Sequence, residues 1–190
     1  EGHTQKGALV VESPVLTNRD YYVLKNHFGD QAHDIDCCFD TDGTPDALRL
    51  ALDNICIEAE EAVREGRSHL FLSDKHVTAK RVAIPMILAT AAVNTYLIKK
   101  GLRTFTSLNV RSSECLDTHY FAVLIGAGAT TVNAYLAQEA VAERQTRGLF
   151  GDMSLEDAML RYKEAIEQGL LKIMSKMGIS VLNSYQSAQI

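Results

Sequence analysis

The chain has 190 residues, of which 46% are hydrophobic and 23% charged, and a formal net charge of −5 at pH 7. This composition is typical of a globular domain with a sizeable core, and it excludes a disordered or fibrous chain. The acidic balance and the scarcity of clustered Lys and Arg argue against a nucleic-acid surface, and no apolar run is long enough to span a bilayer. We therefore expect partners other than nucleic acid or a membrane.

Strands and helices are predicted to alternate after an entry segment, residues 1–34, which includes a short helix over 18–28. The predicted strands cover 34–39, 69–74, 104–110 and 120–125, and the predicted helices cover 45–65, 84–99, 131–144 and 155–176. Repeats of apolar strand and helix favour parallel pairing. The predicted fold class is therefore α/β, with a parallel sheet flanked by helices that forms either an open sheet or part of a (β/α) barrel.

Two predicted helices begin with residues that are typical of helix N-termini. Thr44 is predicted to cap the helix over 45–65, with Pro45 as its first residue, because Pro fits that position without losing a hydrogen bond. Ser154 is predicted to cap the helix over 155–176, with Asp157 three residues on as a variant of the capping box.

The final stretch is predicted to hold the end of a helix at Gly178, a buried strand over 179–182 and a new helix from residue 183. The sequence stops before that helix has made two turns, so its apolar face lacks a partner. We therefore expect a piece of a larger protein, with an α/β domain at 35–182 and the start of another helix at 183–190. Tyr185 and Ile190 are expected on a surface that the rest of that protein covers.

The cysteines are predicted to be buried free thiols in a reducing cytoplasm. No C-x-x-C pair occurs among them, and their spacing does not suit the converging thiolates of a zinc or iron–sulfur site. They are Cys37, Cys38, Cys56 and Cys115.

Polar residues follow three predicted strands, at 73–76, 111–114 and 126–131. Ligands of parallel α/β folds bind at such carboxyl ends, so Asp74, His76 and Arg111 are candidate site residues. His76 beside Asp74 suits an acid/base pair, although the same residues also suit a solvated loop in which Asp74 caps the next turn. Arg111 can pair with Glu114 on a loop, where an ion pair is worth little.

The segment 126–131 is a candidate anion site that comprises Gly126, Gly128, Thr130 and Thr131. If it leads from a strand into a helix, its small residues would let backbone N–H groups approach an anion at the positive helix end. It is not the G-x-G-x-x-G motif, because Thr131 stands at the third glycine position. The plainer interpretation is a tight packing turn, and the residues alone name no reaction.

Several blocks, in this order, resemble the central domain of the glutamate synthase large subunit. The resemblance covers about residues 13–190. It rests on the segments 13–17, 72–74, 84–93, 101–103, 119–129, 132–136, 163–165, 169–180 and 184–185.

The resemblance implies an enzyme that makes two glutamates from glutamine and 2-oxoglutarate in the cytoplasm, with electrons from NADPH or ferredoxin. Its parts would be a glutaminase domain, this central domain, an FMN-binding barrel with a 3Fe-4S cluster, and a β-helix. The glutaminase nucleophile, the FMN phosphate loops and the cluster cysteines have no counterpart here, so we expect no cofactor and no turnover in this chain. Its implied role is to hold the glutaminase and FMN domains apart and to help wall the ammonia path, with a reductase subunit or ferredoxin as a further partner.

Two other functions remain open at this point. One is a small-molecule or anion-binding α/β module that uses the turn at 126–131. The other is a free-standing enzyme that uses Asp74 and His76.

Overall fold

The structure, a computed structural model, describes residues 13–41 and 43–178. Helices and strands alternate along this part of the chain. They are α1 (Asn18–Phe28), β1 (Ala32–Asp36), β2 (Cys38–Asp40), α2 (Ala47–Arg64), β3 (His69–Ser73), β4 (Arg81–Ala83), α3 (Met86–Lys99), β5 (Ser107–Arg111), α4 (Thr118–Gly126), β6 (Thr131–Asn133), α5 (Tyr135–Thr146) and α6 (Leu155–Lys176).

The main sheet has four parallel strands in the order β1-β3-β5-β6, so neighbouring strands follow chain order. His69 at the start of β3 is paired with Ala32 of β1 on one side and with Ser107 of β5 on the other. The short strands β2 and β4 form a separate antiparallel pair. The predicted α/β class is therefore confirmed, and the described strands form an open sheet, one of the two predicted arrangements.

The two faces of the sheet are covered by different helices, as the side chains of β3 illustrate. Leu70 and Leu72 belong to the larger hydrophobic core, which also contains residues of α2, α3, α4 and α6. Phe71 belongs instead to a smaller cluster with Tyr21 and Leu24 of α1. Side chains alternate across a strand, so a near-continuous apolar run is what a strand with both faces buried requires.

Residues 13–34, which the sequence predicts as an entry segment, pack onto the sheet. Val15 forms a parallel bridge with Val132 of β6, and the Leu16 N–H donates to the Val132 carbonyl at 2.9 Å. The predicted helix over 18–28 is confirmed as α1, and the Thr17 side chain caps it by accepting from the Asp20 N–H. The segment therefore covers one edge and one face of the sheet.

The prediction of a strand over 120–125 is wrong, because these residues lie in the helix α4. Asp117 caps this helix by accepting a hydrogen bond from the Tyr120 N–H at 2.8 Å. Phe121, Leu124 and Ile125 are buried in the larger core. A short helix buried on most sides has the same continuous apolar run as a buried strand, so hydrophobic periodicity does not separate the two.

Because of this error, the predicted bounds of the next two elements are also wrong. Thr131, predicted to begin a helix, begins the strand β6, and the next helix begins at Tyr135. The fourth parallel strand is therefore only three residues long, Thr131–Asn133. A segment this short carries no periodic signal of its own.

Other bounds also differ from the sequence prediction: the helix predicted from residue 84 begins at Met86, and the strand predicted from residue 104 begins at Ser107. The helix predicted from Pro45 begins at Ala47, because the Thr44 carbonyl accepts from the Ala47 N–H and closes a turn before the helix. The strand predicted over 34–39 is divided at Cys37 between β1 and β2. By contrast, the Ser154 cap of α6 is confirmed, with its hydroxyl accepting from the Asp157 N–H at 3.1 Å.

No helix in the segments 13–41 and 43–178 is both long and apolar enough to cross a lipid bilayer. The predicted strand over 179–182 and helix from 183, including Tyr185 and Ile190, lie outside the described residues.

Candidate functional site

The carboxyl ends of β3, β5 and β6 bring polar side chains together at one edge of the sheet. Asp74 follows β3, Arg111 ends β5, and Tyr135 follows β6 after one intervening residue. Asp74 and Arg111 are both buried, with 0% and 6% of their surface exposed. We call this group, with Ser113 and the α1 tyrosines described below, the carboxyl-edge cluster.

The Asp74 carboxylate is saturated by hydrogen bonds from protein groups. Ser113 donates its N–H to Oδ2 at 2.8 Å and to Oδ1 at 3.1 Å, and its hydroxyl to Oδ2 at 2.8 Å. The Tyr135 hydroxyl donates to Oδ1 at 2.8 Å. Burial and this hydrogen bond raise the pKa of Tyr135, so the phenol keeps its proton and remains a donor. Asp74 therefore ties the end of β3 to the loop after β5 and to the first residue of α5.

The Arg111 guanidinium lies among tyrosine rings. Its Cζ lies 4.8 Å from the ring centre of Tyr21, 4.8 Å from that of Tyr135 and 5.3 Å from that of Tyr22. A guanidinium over an aromatic face is attracted by the negative face of the ring, and the attraction grows when water is excluded. Its Nε is buried and has no hydrogen-bond partner in the described residues.

The two tyrosines of α1 differ in their response to Arg111. Burial is the largest cause that raises the pKa of Tyr21. Tyr22 is 47% exposed, and its pKa is lowered by a hydrogen bond and the charge of Arg111, and further by Lys75. The Tyr22 hydroxyl therefore lies in the positive field of Arg111 and Lys75, at the solvent-exposed side of the cluster.

His76 and Asp74, which the sequence predicts as a candidate acid/base pair, do not form a pair in the structure. His76 is exposed, whereas Asp74 is fully buried and its carboxylate is held by Ser113 and Tyr135. No hydrogen bond or ion pair connects the two side chains within the described part of the chain. Arg111 likewise does not pair with Glu114, whose carboxylate accepts from the Tyr120 hydroxyl.

The segment 126–131 lies outside the carboxyl-edge cluster. The prediction that it leads from a strand into a helix, which made it a candidate anion site, is wrong. Gly126 is the last residue of α4 and Thr131 the first of β6, so the segment follows a helix C-terminus and precedes the amino end of a strand. A helix C-terminus carries partial negative charge and repels anions. Thr130 Oγ1 accepts from the Leu108 N–H at 3.0 Å, and the Thr131 hydroxyl donates to Asn109 Oδ1 at 2.7 Å. Anion binding by this segment stays a prediction without its original support.

Gly128 within that segment is a packing residue with φ of +120°. A Cβ there would lie 2.3 Å from Cγ of Asn94, so no side chain fits. The partly buried Arg103 spans the same contact, donating through Nη2 to the Gly128 carbonyl at 2.9 Å and through Nε to Asn94 Oδ1 at 2.7 Å. The plainer interpretation, a packing turn, agrees with this geometry, although the turn joins a helix to a strand.

The cysteines are buried free thiols, as predicted. Burial raises the pKa of Cys38 and of Cys56 to about 11, and it raises the pKa of Cys37 and Cys115 still further. Metal clusters are held by thiolates, which such burial disfavours. In the described ranges no three His, Cys, Asp or Glu side chains form a group that could hold a metal ion. These residues therefore do not fit a 3Fe-4S cluster.

Sequence reasoning missed the tyrosines that surround Arg111. Tyr21 and Tyr22 were placed on a predicted helix without a role, and Tyr135 was placed inside a helix that in fact begins there. The available signal was the adjacent pair Tyr21 and Tyr22 on the predicted helix, whose side chains point roughly 100° apart. Their common partner depends on β5 and β6 being neighbours, which the strand error concealed.

A groove of about 690 Å³ lies beside α1, between that helix, α5 and α6. Its lining includes Asp20, Gln138, Met159, Leu160 and Lys163. Asp20 and Lys163 form an ion pair across it at 3.0 Å. The groove therefore combines an ion pair with partly apolar walls.

Comparison with known proteins identifies the family. The family model described as "Glutamate synthase central domain" matches residues 1–190. The chain is 61% identical over 186 residues to the glutamate synthase [NADPH] large chain of Azospirillum brasilense, covering 98% of this chain and 12% of that protein. It is 41% identical over 180 residues to the glutamate synthase [NADPH] large chain of Bacillus subtilis, covering 94% of this chain and 11% of that protein.

A ferredoxin-dependent relative is similar over the same region. The chain is 38% identical over 203 aligned residues to the chloroplastic ferredoxin-dependent glutamate synthase of Spinacia oleracea, covering 100% of this chain and 12% of that protein. The chain thus spans about 12% of the length of the curated relatives it matches. Because the family model matches the whole sequence, the chain belongs to the glutamate synthase central domain family.

Proposed function

We propose that this chain is the connecting domain of a glutamate synthase large chain and performs no catalytic step itself. In that enzyme it spaces the glutaminase domain from the FMN-binding domain and forms part of the wall of the ammonia path. The observation that carries the proposal is the family match over residues 1–190, combined with the share of about 12% of each relative. A segment of that size within a much longer enzyme is well suited to a structural role between catalytic parts.

The side chains of the carboxyl edge support a role without chemistry. Asp74 has its oxygens occupied, and no carboxylate of the described residues orients His76. A general base needs a free lone pair directed at substrate, and a nucleophilic thiol needs a lowered pKa rather than a raised one. Asp74 and the described cysteines meet neither requirement.

Exposed apolar side chains at both edges of the sheet support contacts with two neighbours. Phe105, just before the amino end of β5, is 66% exposed, and Leu116, beyond its carboxyl end, is 69% exposed. A domain that separates two others needs a contact surface on each side, and exposed apolar residues favour such surfaces. The amino and carboxyl ends of the parallel strands lie on opposite sides of the sheet, as a domain placed between two others requires.

The electron donor and the cellular location that we propose for the parent enzyme are based on its relatives. The relatives described above include NADPH-dependent and ferredoxin-dependent enzymes, so the proposed electron donor of the parent is one of these two. We place the parent enzyme in the cytoplasm, while the Spinacia relative is named chloroplastic.

The proposal is tested with the purified 190-residue chain. We expect no flavin absorbance near 450 nm, no cluster absorbance, and no release of ammonia from glutamine. The separately expressed glutaminase domain of the parent serves as the active control. Stoichiometric flavin in the purified chain, or glutamine hydrolysis that follows its concentration, would overturn the proposal.

A further inference from the structure

The charge of Arg111 is only partly compensated within the described chain. No Asp or Glu carboxylate lies within the ion-pair distance of 4.0 Å of its guanidinium in those residues. The neighbouring buried carboxylate is Asp74, which shares Tyr135 with Arg111 but has its oxygens engaged by Ser113 and Tyr135. A buried charge without a carboxylate partner is costly, and such groups are commonly paired or bound to a ligand.

The rim above Arg111 is open and positive. Tyr22 is 47% exposed, its ring centre lies 5.3 Å from Cζ of Arg111, and Arg111 and Lys75 both act to lower its pKa. Lys75 is exposed and follows Asp74 directly at the end of β3. Two cations that meet at one exposed phenol form a point where an oxyanion would gain charge-assisted hydrogen bonds.

The position of this point agrees with where such folds bind ligands. Arg111 ends β5 and Lys75 lies just beyond β3, so both belong to the carboxyl edge of the parallel sheet. Ligands in parallel α/β folds bind at that edge. The burial of Arg111, the lack of a carboxylate partner among the described residues and the position at the end of β5 therefore agree with an anion site.

We propose that Arg111, the Tyr22 hydroxyl and Lys75 form a binding site for a small oxyanion, either a carboxylate or a phosphate. Arg111 provides a charged donor that the rings of Tyr21 and Tyr135 hold in place. Tyr22 donates its hydroxyl to the anion, and Lys75 closes the exposed side. The site is independent of any catalytic role of the chain.

The test uses the 190-residue chain and follows the Arg111 Nε–Hε signal by nuclear magnetic resonance. Succinate and inorganic phosphate are titrated separately to about 100 mM, with chloride at equal ionic strength as the reference, a range that suits millimolar affinity. We expect a saturable shift with at least one of the two anions and none with chloride. The anion that saturates at the lower concentration identifies the ligand class as carboxylate or phosphate.

The test variants change exposed residues around Arg111, so that the buried arginine and the fold are left intact. Lys75→Gln and Tyr22→Phe are each expected to weaken binding by at least about fivefold, because each removes one donor. Lys80→Gln, an exposed change in the same loop between β3 and β4, removes the same charge away from the site and should leave affinity unchanged. The proposal is overturned if neither anion gives a saturable shift, or if Lys75→Gln has no larger effect than Lys80→Gln.

Discussion

Gly128 and Asn94 approach so closely that a Cβ on the glycine would lie 2.3 Å from Cγ of the asparagine. Arg103 locks this contact, since it hydrogen-bonds both residues and also donates to the Thr106 carbonyl. Burial lowers the pKa of Arg103, yet its hydrogen bonds satisfy the guanidinium. The glycine-rich turn thus joins α3, α4 and the start of β5, and its small residues serve packing.

Replacing Gly128 by Ala is therefore expected to destabilise the chain by about 2–5 kcal/mol, through positive φ and overpacking together. The matched control is Gly148→Ala, which also has positive φ, +74°, but has open space around the added Cβ. That control should cost about 1–2 kcal/mol. Urea unfolding measures both, and equal losses would show that the contact with Asn94 is readily relieved.

Close packing of α6 on α4 depends on a second glycine. A Cβ on Gly169 would lie 2.6 Å from Cγ2 of Thr118. Ala gains about 1 kcal/mol of helix propensity over Gly, whereas overpacking costs about 1–3 kcal/mol, so we expect Gly169→Ala to be mildly destabilising.

The double variant with Thr118→Ala isolates the clash between α6 and α4. In the Thr118→Ala background the Gly169→Ala change should be neutral or stabilising, because the threonine branch atoms are gone. A stabilising effect of Gly169→Ala alone would contradict the proposed tight contact.

The Asp74 network predicts a large effect of an isosteric change. Asp74→Asn puts an NH₂ group where Ser113 and Tyr135 direct donors, so at least one donor loses its acceptor. We expect a loss of about 2–4 kcal/mol in the free energy of unfolding. Asp40→Asn is the control, since its carboxylate is exposed and pairs with Arg81 at 3.5 Å, an interaction worth about 0–1 kcal/mol. A small loss for Asp74→Asn would mean that the network rearranges.

The ion pair between Asp20 and Lys163 predicts a pH dependence. Burial acts to raise the pKa of Asp20, but the Thr17 backbone hydrogen bond and the contact with Lys163 outweigh it, so the pKa is lowered. A lowered carboxyl pKa contributes stability that is present above the unfolded pKa of about 3.9 and is lost as the pH falls through the folded value.

Substitution of Asp20 provides the measurement. Asp20→Asn should cost about 0.5–1 kcal/mol at pH 7, and its difference from the parent chain should vanish in acid. Asp152→Asn, an exposed loop change, serves as the control. A difference that is the same at pH 7 and at pH 2.5 would contradict the assigned pKa.

Much of the fold could be predicted from the sequence, and the failures have physical causes. Periodicity and caps located α1, α3 and α6, and apolar runs located β3 and β5, because these elements bury distinct faces. The helix α4 and the strand β6 were missed, since one is apolar on most sides and the other has only three residues.

The site was predicted in part for the same reason. Asp74 and Arg111 were found because the strands that carry them were located, although β5 begins at Ser107 rather than at residue 104 and includes Arg111. Their grouping with Tyr21 and Tyr135 depends on tertiary contacts, which span 61 residues for the Asp74–Tyr135 pair and are not carried by local patterns. The candidate anion turn at 126–131 failed as a helix N-terminus because the element before it is itself a helix.

The coupling of glutamine hydrolysis to glutamate formation in a complete large chain tests the connecting role most directly. Phe105→Glu and Leu116→Glu alter exposed residues at opposite edges of the sheet, and Leu50→Glu on α2, 53% exposed, is the control. The measured quantity is glutamine hydrolysed per 2-oxoglutarate consumed. We predict that this ratio rises in at least one edge variant, with free ammonia released and glutaminase activity retained, while the control keeps the parent ratio. A parent-like ratio in both edge variants, or equal uncoupling in the control, would contradict the account.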